Sequence, residues 1–442
     1  MHRAKLAWLG TTTVPGPVRK VKSMTSLPSK FSRLAWSNLA AQSAEQIGLA
    51  AAPIVAVIAL HADAGDTGWL QTAQTLPFLV TTIPAGLLVD RLIRSRLMAG
   101  AEALRLVSLL CMLVLALSGA LTLPLLAALG FVGACGTVVY SVAAPALVPD
   151  LVKSEALPTA NSRIELARTS ALAAGPAVGG ALVGWIGAAP AFALAAGLSA
   201  VAVILLAGLR EPPRANSKRK TPLREIREGA AFVFSNKLLR PIFITQVIFV
   251  TAAFTIQAVY VPYAIHRLGL TAPFVGLTLA TYGLGMVFGA LIAPRVMQML
   301  RVGVVIAIGP IAGVVAALIM LLTIYIPSPA LASLSFGVMG AGPILWVVST
   351  TTLRQTLTPP ELLGRVSAIN ITSYGARPLG AAIGAVVGGL CGAEVALVAA
   401  AVGFFLQAAV ILLSPAARLA SPPQPAQRIT RSDGETHHRV AA

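Results

Sequence analysis

A carboxyl group flanked by amides lies within the first long apolar stretch of the chain. Glu45 is accompanied by Asn38, Gln42 and Gln46, and this spacing of three and four residues places all four side chains on one stripe of a helix. An ionisable group in apolar surroundings is costly and marks a candidate functional residue. A carboxyl group among amides suits a water-filled cavity, where it can bind and release a proton. Glu45 is therefore our first candidate proton-binding residue, the alternative being a hydrogen-bonded packing acid.

A second acid lies in another apolar stretch, next to a base. Glu102 precedes Arg105 by three residues, which is one helical turn, so the two side chains could form a structural ion pair. Glu102 is our second candidate for proton binding.

Further amides recur at helical spacing in two other apolar stretches. Gln246 and Gln257 are eleven residues, or three turns, apart, and Tyr260 continues their face; Gln71 and Gln74 form a similar pair. These side chains could line a cavity. An equal alternative is that they join helices by hydrogen bonds.

The composition shows what kind of element carries these groups. Of the 442 residues, 57% are hydrophobic and 11% are charged, against about 25% charged in soluble domains. A helix needs about 20 apolar residues to cross a membrane. We predict an all-α integral membrane protein. Its twelve spans are predicted at 34–60, 67–89, 97–118, 121–147, 161–186, 189–208, 240–263, 272–294, 303–326, 329–352, 368–391 and 394–414.

The charges predict how these spans are oriented. Of the 33 basic residues, 31 lie in the two tails or in or beside the even-numbered connections, and only Arg105 and Arg267 do not. Since Lys and Arg collect on the cytoplasmic side, both termini are expected in the cytoplasm. The net charge of +18 has this topological cause and does not indicate nucleic-acid binding. The first thirty residues lack a signal-peptide core and are expected to form a cytoplasmic tail.

The predicted domain organisation follows from a basic, Pro-rich segment near the middle. It consists of a tail (1–33), a six-helix bundle (34–208), a cytoplasmic linker (209–239), a second six-helix bundle (240–414) and a second tail (415–442). Within the linker, apolar residues at helical spacing from Leu223 to Leu238 predict an amphipathic helix on the inner membrane surface, the alternative being a solvated linker.

The two predicted bundles repeat each other weakly in sequence. "GLLVDRLIRSRLMAG" at 86 matches "GALIAPRVMQMLRVG" at 289, an offset of 203 residues. "NSRIELARTSALAAGPAVGG" at 161 matches "LGRVSAINITSYGARPLGAA" at 363, an offset of 202. Two parallel halves with a binding site between them are typical of secondary transporters.

The segment at 86 carries a resemblance to a known superfamily. Gly86, Asp90, Arg91, Arg94 and Arg96 fit the Gly-x-x-x-Asp-Arg-x-x-Arg signature between spans 2 and 3 of the major facilitator superfamily, with Ser95 at one basic position and Ala293 replacing the acid in the second half. The chain resembles that superfamily over nearly its whole length. The resemblance implies that Asp90 makes a cytoplasmic closing contact, supported by the arginines, which opens in each transport cycle. Gly86 would allow close helix approach.

A second motif concerns the direction of transport. Gly175, Pro176, Gly179 and Gly180 match the Gly-x-x-x-Gly-Pro-x-x-Gly-Gly pattern of export branches, with Ala171 at the leading glycine. Ordinary packing of small residues is the alternative. The linker and span 11 resemble most the branch of the enterobactin exporter and related bacterial drug efflux proteins.

The expected function is secondary active transport, most simply proton-coupled export of a small amphipathic molecule such as a drug, siderophore or metabolite. An importer or facilitator on the same fold, or a transport-inactive membrane sensor or scaffold, are the alternatives. Arg377, inside span 11, is interpreted either as the partner of Asp90 or as a counter-charge for anionic substrates.

The remaining expectations concern chemistry and partners. No GxxxxGK[ST], HExxH or clustered histidines occur, so we expect neither an enzyme nor a cofactor or metal. The expected partners are protons, the substrate and the lipid bilayer of the inner membrane, with no nucleic acid, and the expected state is a monomer.

Overall fold

The computed structural model describes residues 28–153, 156–209, 211, 222–359 and 362–421. Most of both predicted tails and the Pro-rich part of the linker, 212–221, lie outside the described residues. Within the described part the secondary structure is helical throughout, which confirms the predicted all-α fold.

The described chain consists mainly of helices joined by short connections. Most connections between them are a few residues long. They are α1 (Ser29–Leu60), α2 (Ala64–Val80), α3 (Thr82–Arg91), α4 (Arg94–Leu117), α5 (Leu123–Leu151), α6 (Leu157–Trp185), α7 (Ala188–Ala207), α8 (Pro222–Ser235), α9 (Leu239–His266), α10 (Ala272–Met299), α11 (Val302–Tyr325), α12 (Pro329–Leu357), α13 (Leu363–Thr372), α14 (Arg377–Cys391) and α15 (Ala393–Leu412).

Ten single helices of the described chain are long and apolar enough to cross a membrane, and the bent pair α2–α3 can supply an eleventh. The predicted span 67–89 is therefore two helices, which meet at 46°. Pro84 explains the bend, because it cannot donate to the carbonyl of Val80 and its ring crowds that oxygen.

The predicted span 368–391 is also divided. A 3-10 turn, Ser373–Ala376, separates α13 from α14. Pro378 lies at the second position of α14 and cannot donate to the carbonyl of Tyr374, so a continuous α-helix is interrupted there.

The helices form two bundles, α1–α7 and α9–α15, that pack across one interface. The main contacts between them join α6 to α10 and α2 to α14. The core is apolar and rich in alanine, and one buried cluster continues from the first bundle into the second.

The two bundles approach most closely at one end of this interface. A Cβ atom added at Gly68 would lie 2.3 Å from the Ala385 Cα atom, and one added at Gly184 would lie 2.4 Å from the Pro273 Cδ atom. Glycine at both positions therefore lets the two bundles pack this closely. These positions lie near the α1–α2, α6–α7, α9–α10 and α14–α15 connections.

At the opposite end the bundles are apart. An added Cβ atom at Gly86 in α3 or at Gly364 in α13 meets nothing within 4 Å. The main neighbours of α3 are α2, α4 and α5 of its own bundle, and those of α13 are α8 and the adjoining 3-10 turn. Close helix approach at Gly86, which the sequence led us to expect, is therefore absent in this conformation.

Helix α8 lies in the predicted linker and packs against protein. Val233 is 4% exposed and forms an apolar cluster with Leu239, Val366 and Ile369. The Glu228 carboxylate accepts a hydrogen bond from Arg365 on α13. This part of the apolar face is thus covered by α13 and α9. That the helix also lies on the inner membrane surface stays a prediction.

Candidate functional site

A buried ion cluster joins four helices of the first bundle. The Arg105 guanidinium on α4 donates from Nη2 to Glu102 Oε2 at 2.5 Å and to the carbonyl oxygen of Ala41 at 2.8 Å. Its Nη1 donates to Thr137 Oγ1 on α5 at 3.0 Å. Ser199 on α7 donates to the Glu102 carboxylate. The predicted pair of Glu102 and Arg105 is therefore the centre of a larger network.

Glu45 is the outer member of this cluster. Its Oε2 atom lies 3.6 Å from Arg105 Nη1, and its side chain is 15% exposed, against 1% for Glu102. Two carboxylates thus share one guanidinium, and Glu45 is the more distant and more accessible of the two. When both acids are ionised the cluster carries a net negative charge, which one proton on Glu45 would neutralise.

The other polar residues of the α1 stripe attach this helix to α6. Asn38 is 3% exposed and donates from Nδ2 to the Ile164 carbonyl oxygen at 3.3 Å. Gln46 packs so closely against α6 that a Cβ atom added at Gly175 would lie 2.4 Å from the Gln46 Cβ atom. Gln42 is half-buried. Asn38 and Gln46 therefore hold helices together.

The amides of α2 and α9 meet across the interface between the bundles. Gln71 Nε2 donates to Gln257 Oε1 at 3.4 Å, although the two residues are 186 positions apart. Gln74 is 4% exposed and turns towards Gly130 on α5, and its Oε1 atom has no hydrogen-bond partner among the described residues. Gln71 and Gln257 are thus the predicted cavity amides that lie at the interface.

Two other predicted cavity residues lie inside the second bundle. Tyr260 is fully buried, donates to Thr278 Oγ1 at 2.5 Å and packs edge-on against Phe336. Gln246 accepts a hydrogen bond from Trp346 Nε1 at 3.1 Å. Both residues join helices of the second bundle, which favours the alternative interpretation given above; their role in lining a cavity stays a prediction.

Arg377 lies at the interface, among aromatic rings from both bundles. Its Cζ atom is 4.1 Å from the ring centre of Phe78 on α2, 5.3 Å from that of Phe254 on α9 and 4.8 Å from that of Tyr374. Phe78 precedes Asp90 by twelve residues, or about 18 Å along a helix. An arginine side chain does not span that length, so the arrangement favours the second interpretation of Arg377.

Two glycines of the Gly-Pro-x-x-Gly-Gly motif in α6 contact different helices. A Cβ atom added at Gly179 would lie 2.9 Å from the Ile47 carbonyl oxygen on α1. One added at Gly180 would lie 2.6 Å from the Ala272 carbonyl oxygen of the other bundle. The carbonyl oxygen of Pro176 faces Gly276 on α10. The motif thus joins α6 both to its own bundle and to the opposite one.

The signature segment between α3 and α4 contacts one acid of its own bundle and one acid of the linker. Arg94 Nη1 lies 2.9 Å from Asp150 Oδ2 at the end of α5. The backbone N–H of Ser95, in the first turn of α4, donates to Glu211. The side chain of Asp90 lies outside the described residues, so its closing contact stays a prediction, and Arg91 and Arg96 are exposed.

Several residues of the site were absent from the sequence-based predictions. Thr137, Ser199 and Phe78 are common residue types in apolar helices, so nothing distinguished them. Asp150 did carry a signal, because it is an acid at a predicted cytoplasmic helix end where bases predominate.

Comparison with known proteins agrees with this architecture. The family model described as transmembrane secretion effector matches residues 30–431. An uncharacterised MFS-type transporter of Sinorhizobium fredii is 26% identical, over 83% of this chain and 90% of its own. The multidrug efflux pump Tap of Mycolicibacterium fortuitum is 27% identical, over 83% of this chain and 92% of its own.

Solved structures show the same fold. A bacterial homologue of the human lysosomal transporter Spinster, crystallised in an inward-facing and unoccupied conformation, has a TM-score of 0.68 at 16% identity, over 88% of this chain and 97% of its own. The family match covers most of the chain, and the fold has two helical bundles around one interface. The chain therefore belongs to the transmembrane secretion effectors, a family of major facilitator superfamily transporters.

Proposed function

We propose that this transporter exports a small amphipathic molecule in exchange for protons, with Glu45 as the proton-binding residue. The observation that carries the proposal is the unequal sharing of Arg105 between two acids. Glu102 makes the closer and more buried contact, so it holds Arg105 in place. Glu45 is at 3.6 Å and remains accessible, so its carboxylate can take up a proton while the buried pair stays intact.

Alternating access is supported by the contrast between the two ends of the interface. Glycine-mediated contacts close one end, whereas Gly86 and Gly364 face open space at the other. The basic residues support a cytoplasmic position for the open end. We therefore infer an inward-open conformation, the state also named for the crystallised Spinster homologue.

Export is supported by two independent observations. The Gly-Pro-x-x-Gly-Gly motif of α6 makes direct backbone contacts with α10 across the interface, as a gating element should. A relative of similar length is a multidrug efflux pump. In an exporter, substrate enters the inward-open cavity from the cytoplasm and leaves after the bundles have rocked.

Dye transport in inverted vesicles with an imposed proton gradient tests this function. We expect accumulation of a dye only with the gradient, and loss of that accumulation in Glu45→Gln, because the amide cannot exchange a proton. The panel contains cationic, neutral and anionic amphipathic dyes.

Glu394→Gln is the matched control. Glu394 is also ion-paired, at 2.9 Å from Arg267 Nε, but its side chain is 46% exposed and lies at the start of α15. We expect it to retain transport. Gradient-driven transport that persists in Glu45→Gln would refute the role of this acid, and uptake in whole cells without any efflux would favour an importer.

A further inference from the structure

Aromatic rings surround Arg377, and none of the ion pairs among the described residues includes it. Three aromatic rings lie within 5.3 Å of its Cζ atom, and two of them, Phe78 and Phe254, come from opposite bundles. Within the described part of the chain, no carboxylate forms an ion pair with Arg377, and its buried Nε atom has no hydrogen-bond partner. By contrast, Arg105 and Arg168 each contact a carboxylate at 2.5 Å.

The rings alone do not compensate this cation. A cation–π contact recovers only a small part of the free energy that a charged group loses when it leaves water. Arg377 is half-buried and so is partly removed from water, and its buried Nε atom without a hydrogen-bond partner adds to this cost. Glu45 attracts Arg377 electrostatically, but its ion pair is with Arg105, whose Nη1 atom lies 3.6 Å from Glu45 Oε2. Arg377 therefore has donor capacity for an additional anion.

Two interrupted helices meet beside this guanidinium. Span 2 is bent after Val80, and span 11 is interrupted at Ser373–Ala376. An added Cβ atom at Gly375 would lie 3.1 Å from the Leu79 Cδ1 atom, so the two interruptions are in contact. Helix α14 begins at Arg377, and its N-terminal end adds positive potential at the same place. Interrupted helices of this kind bind anionic substrate groups in secondary transporters.

We propose that Arg377 and its aromatic rings form a subsite for the anionic group of the substrate, which is an aromatic organic anion. This inference rests on the proposed transport function and adds the substrate class. The substrate carboxylate or phenolate accepts hydrogen bonds from the guanidinium, while Phe78, Phe254 and Tyr374 contact its planar apolar body. Because the rings come from both bundles, a bound anion contacts both halves of the transporter.

Binding of two dyes with the same ring system tests the inference. Fluorescein is an anion at neutral pH and rhodamine 123 is a cation, and both contain a xanthene core. Fluorescence anisotropy is measured with purified full-length protein in nanodiscs, without any proton gradient. We expect tighter binding of fluorescein by the wild type. In Arg377→Gln we expect fluorescein affinity to fall at least about tenfold and rhodamine 123 affinity to stay the same or rise.

Two further variants separate charge from folding. Arg377→Lys keeps the charge and should retain part of the fluorescein affinity. Arg354→Gln removes another arginine of the second bundle whose Nε atom lacks a partner, but which lies on α12 beside Val233 and Leu239. It should leave the preference for fluorescein unchanged.

The inference is overturned if the wild type binds no fluorescein at millimolar concentration. It is also overturned if Arg377→Gln weakens both dyes equally, or if Arg354→Gln has the same effect as Arg377→Gln. Binding that depends on Arg377 without any dye export would leave the subsite standing and refute the proposed function. Export of anionic dyes that does not depend on Arg377 would leave the proposed function standing and refute the subsite.

Discussion

At the scale of single residues, the ion cluster of the first bundle combines a fixed pair with an accessible acid. Glu102 is 1% exposed and accepts three hydrogen bonds from Arg105, while Glu45 is more distant and more accessible. The two acids should therefore contribute differently to stability.

Loss of Glu102 should destabilise the protein more than loss of Glu45. Glu102→Gln leaves a buried guanidinium without its main partner, which costs about 3–5 kcal/mol in comparable buried pairs. Glu45→Gln should cost less, because Arg105 keeps Glu102. Thermal unfolding in detergent, followed by tryptophan fluorescence, measures the difference. The double variant Glu102→Gln/Arg105→Gln should recover part of the loss, and equal melting temperatures for the two single variants would contradict the assignment.

At the scale of helices, patterns of hydrophobicity and charge predicted the elements well but not their interruptions. Span 2 is predicted at 67–89 and observed as α2 and α3, since hydropathy does not register the effect of Pro84. The pairing of Glu102 with Arg105 follows from spacing within one helix. The contacts of Gln71 with Gln257 and of Arg377 with Phe78 join distant parts of the chain. They depend on the tertiary packing of the helices, which the spacing of residues along the sequence does not predict.

The close contact of α6 with α10 should be sensitive to side-chain size. Gly180→Val would bring a side chain against the backbone of Ala272 and Gly276. An added Cβ atom alone would lie 2.6 Å from the Ala272 carbonyl oxygen and 2.8 Å from the Gly276 Cα atom. We expect the closed end to open and transport to fall more than tenfold, measured in the vesicle assay. Gly197→Val on α7 is the control, because a Cβ atom there meets nothing within 4 Å. Normal transport in Gly180→Val would show that this end need not close.

At the scale of the whole molecule, rocking of the two bundles should exchange which end of the interface is closed. Pairs of cysteines can report each end separately in a variant without Cys111, Cys135 and Cys391. Gly65 and Gly389 are already in backbone contact, with an added Cβ atom on Gly65 at 2.9 Å from the Gly389 Cα atom. Gly86 and Gly364 lie in α3 and α13, which continue the contacting spans 2 and 11 towards the open end.

We expect the outer pair, Gly65→Cys with Gly389→Cys, to cross-link in the state described here after a small separation of the two backbones, because an added Cβ atom on Gly65 lies only 2.9 Å from the Gly389 Cα atom. The inner pair, Gly86→Cys with Gly364→Cys, should cross-link only when the bundles have rocked and α3 has approached α13. A protease site in the linker makes each cross-link visible by electrophoresis. Conditions that favour one cross-link should reduce the other, and either cross-link should stop transport until it is reduced. If both pairs cross-link fully at the same time, the two ends are not closed alternately, and rocking about this interface is refuted.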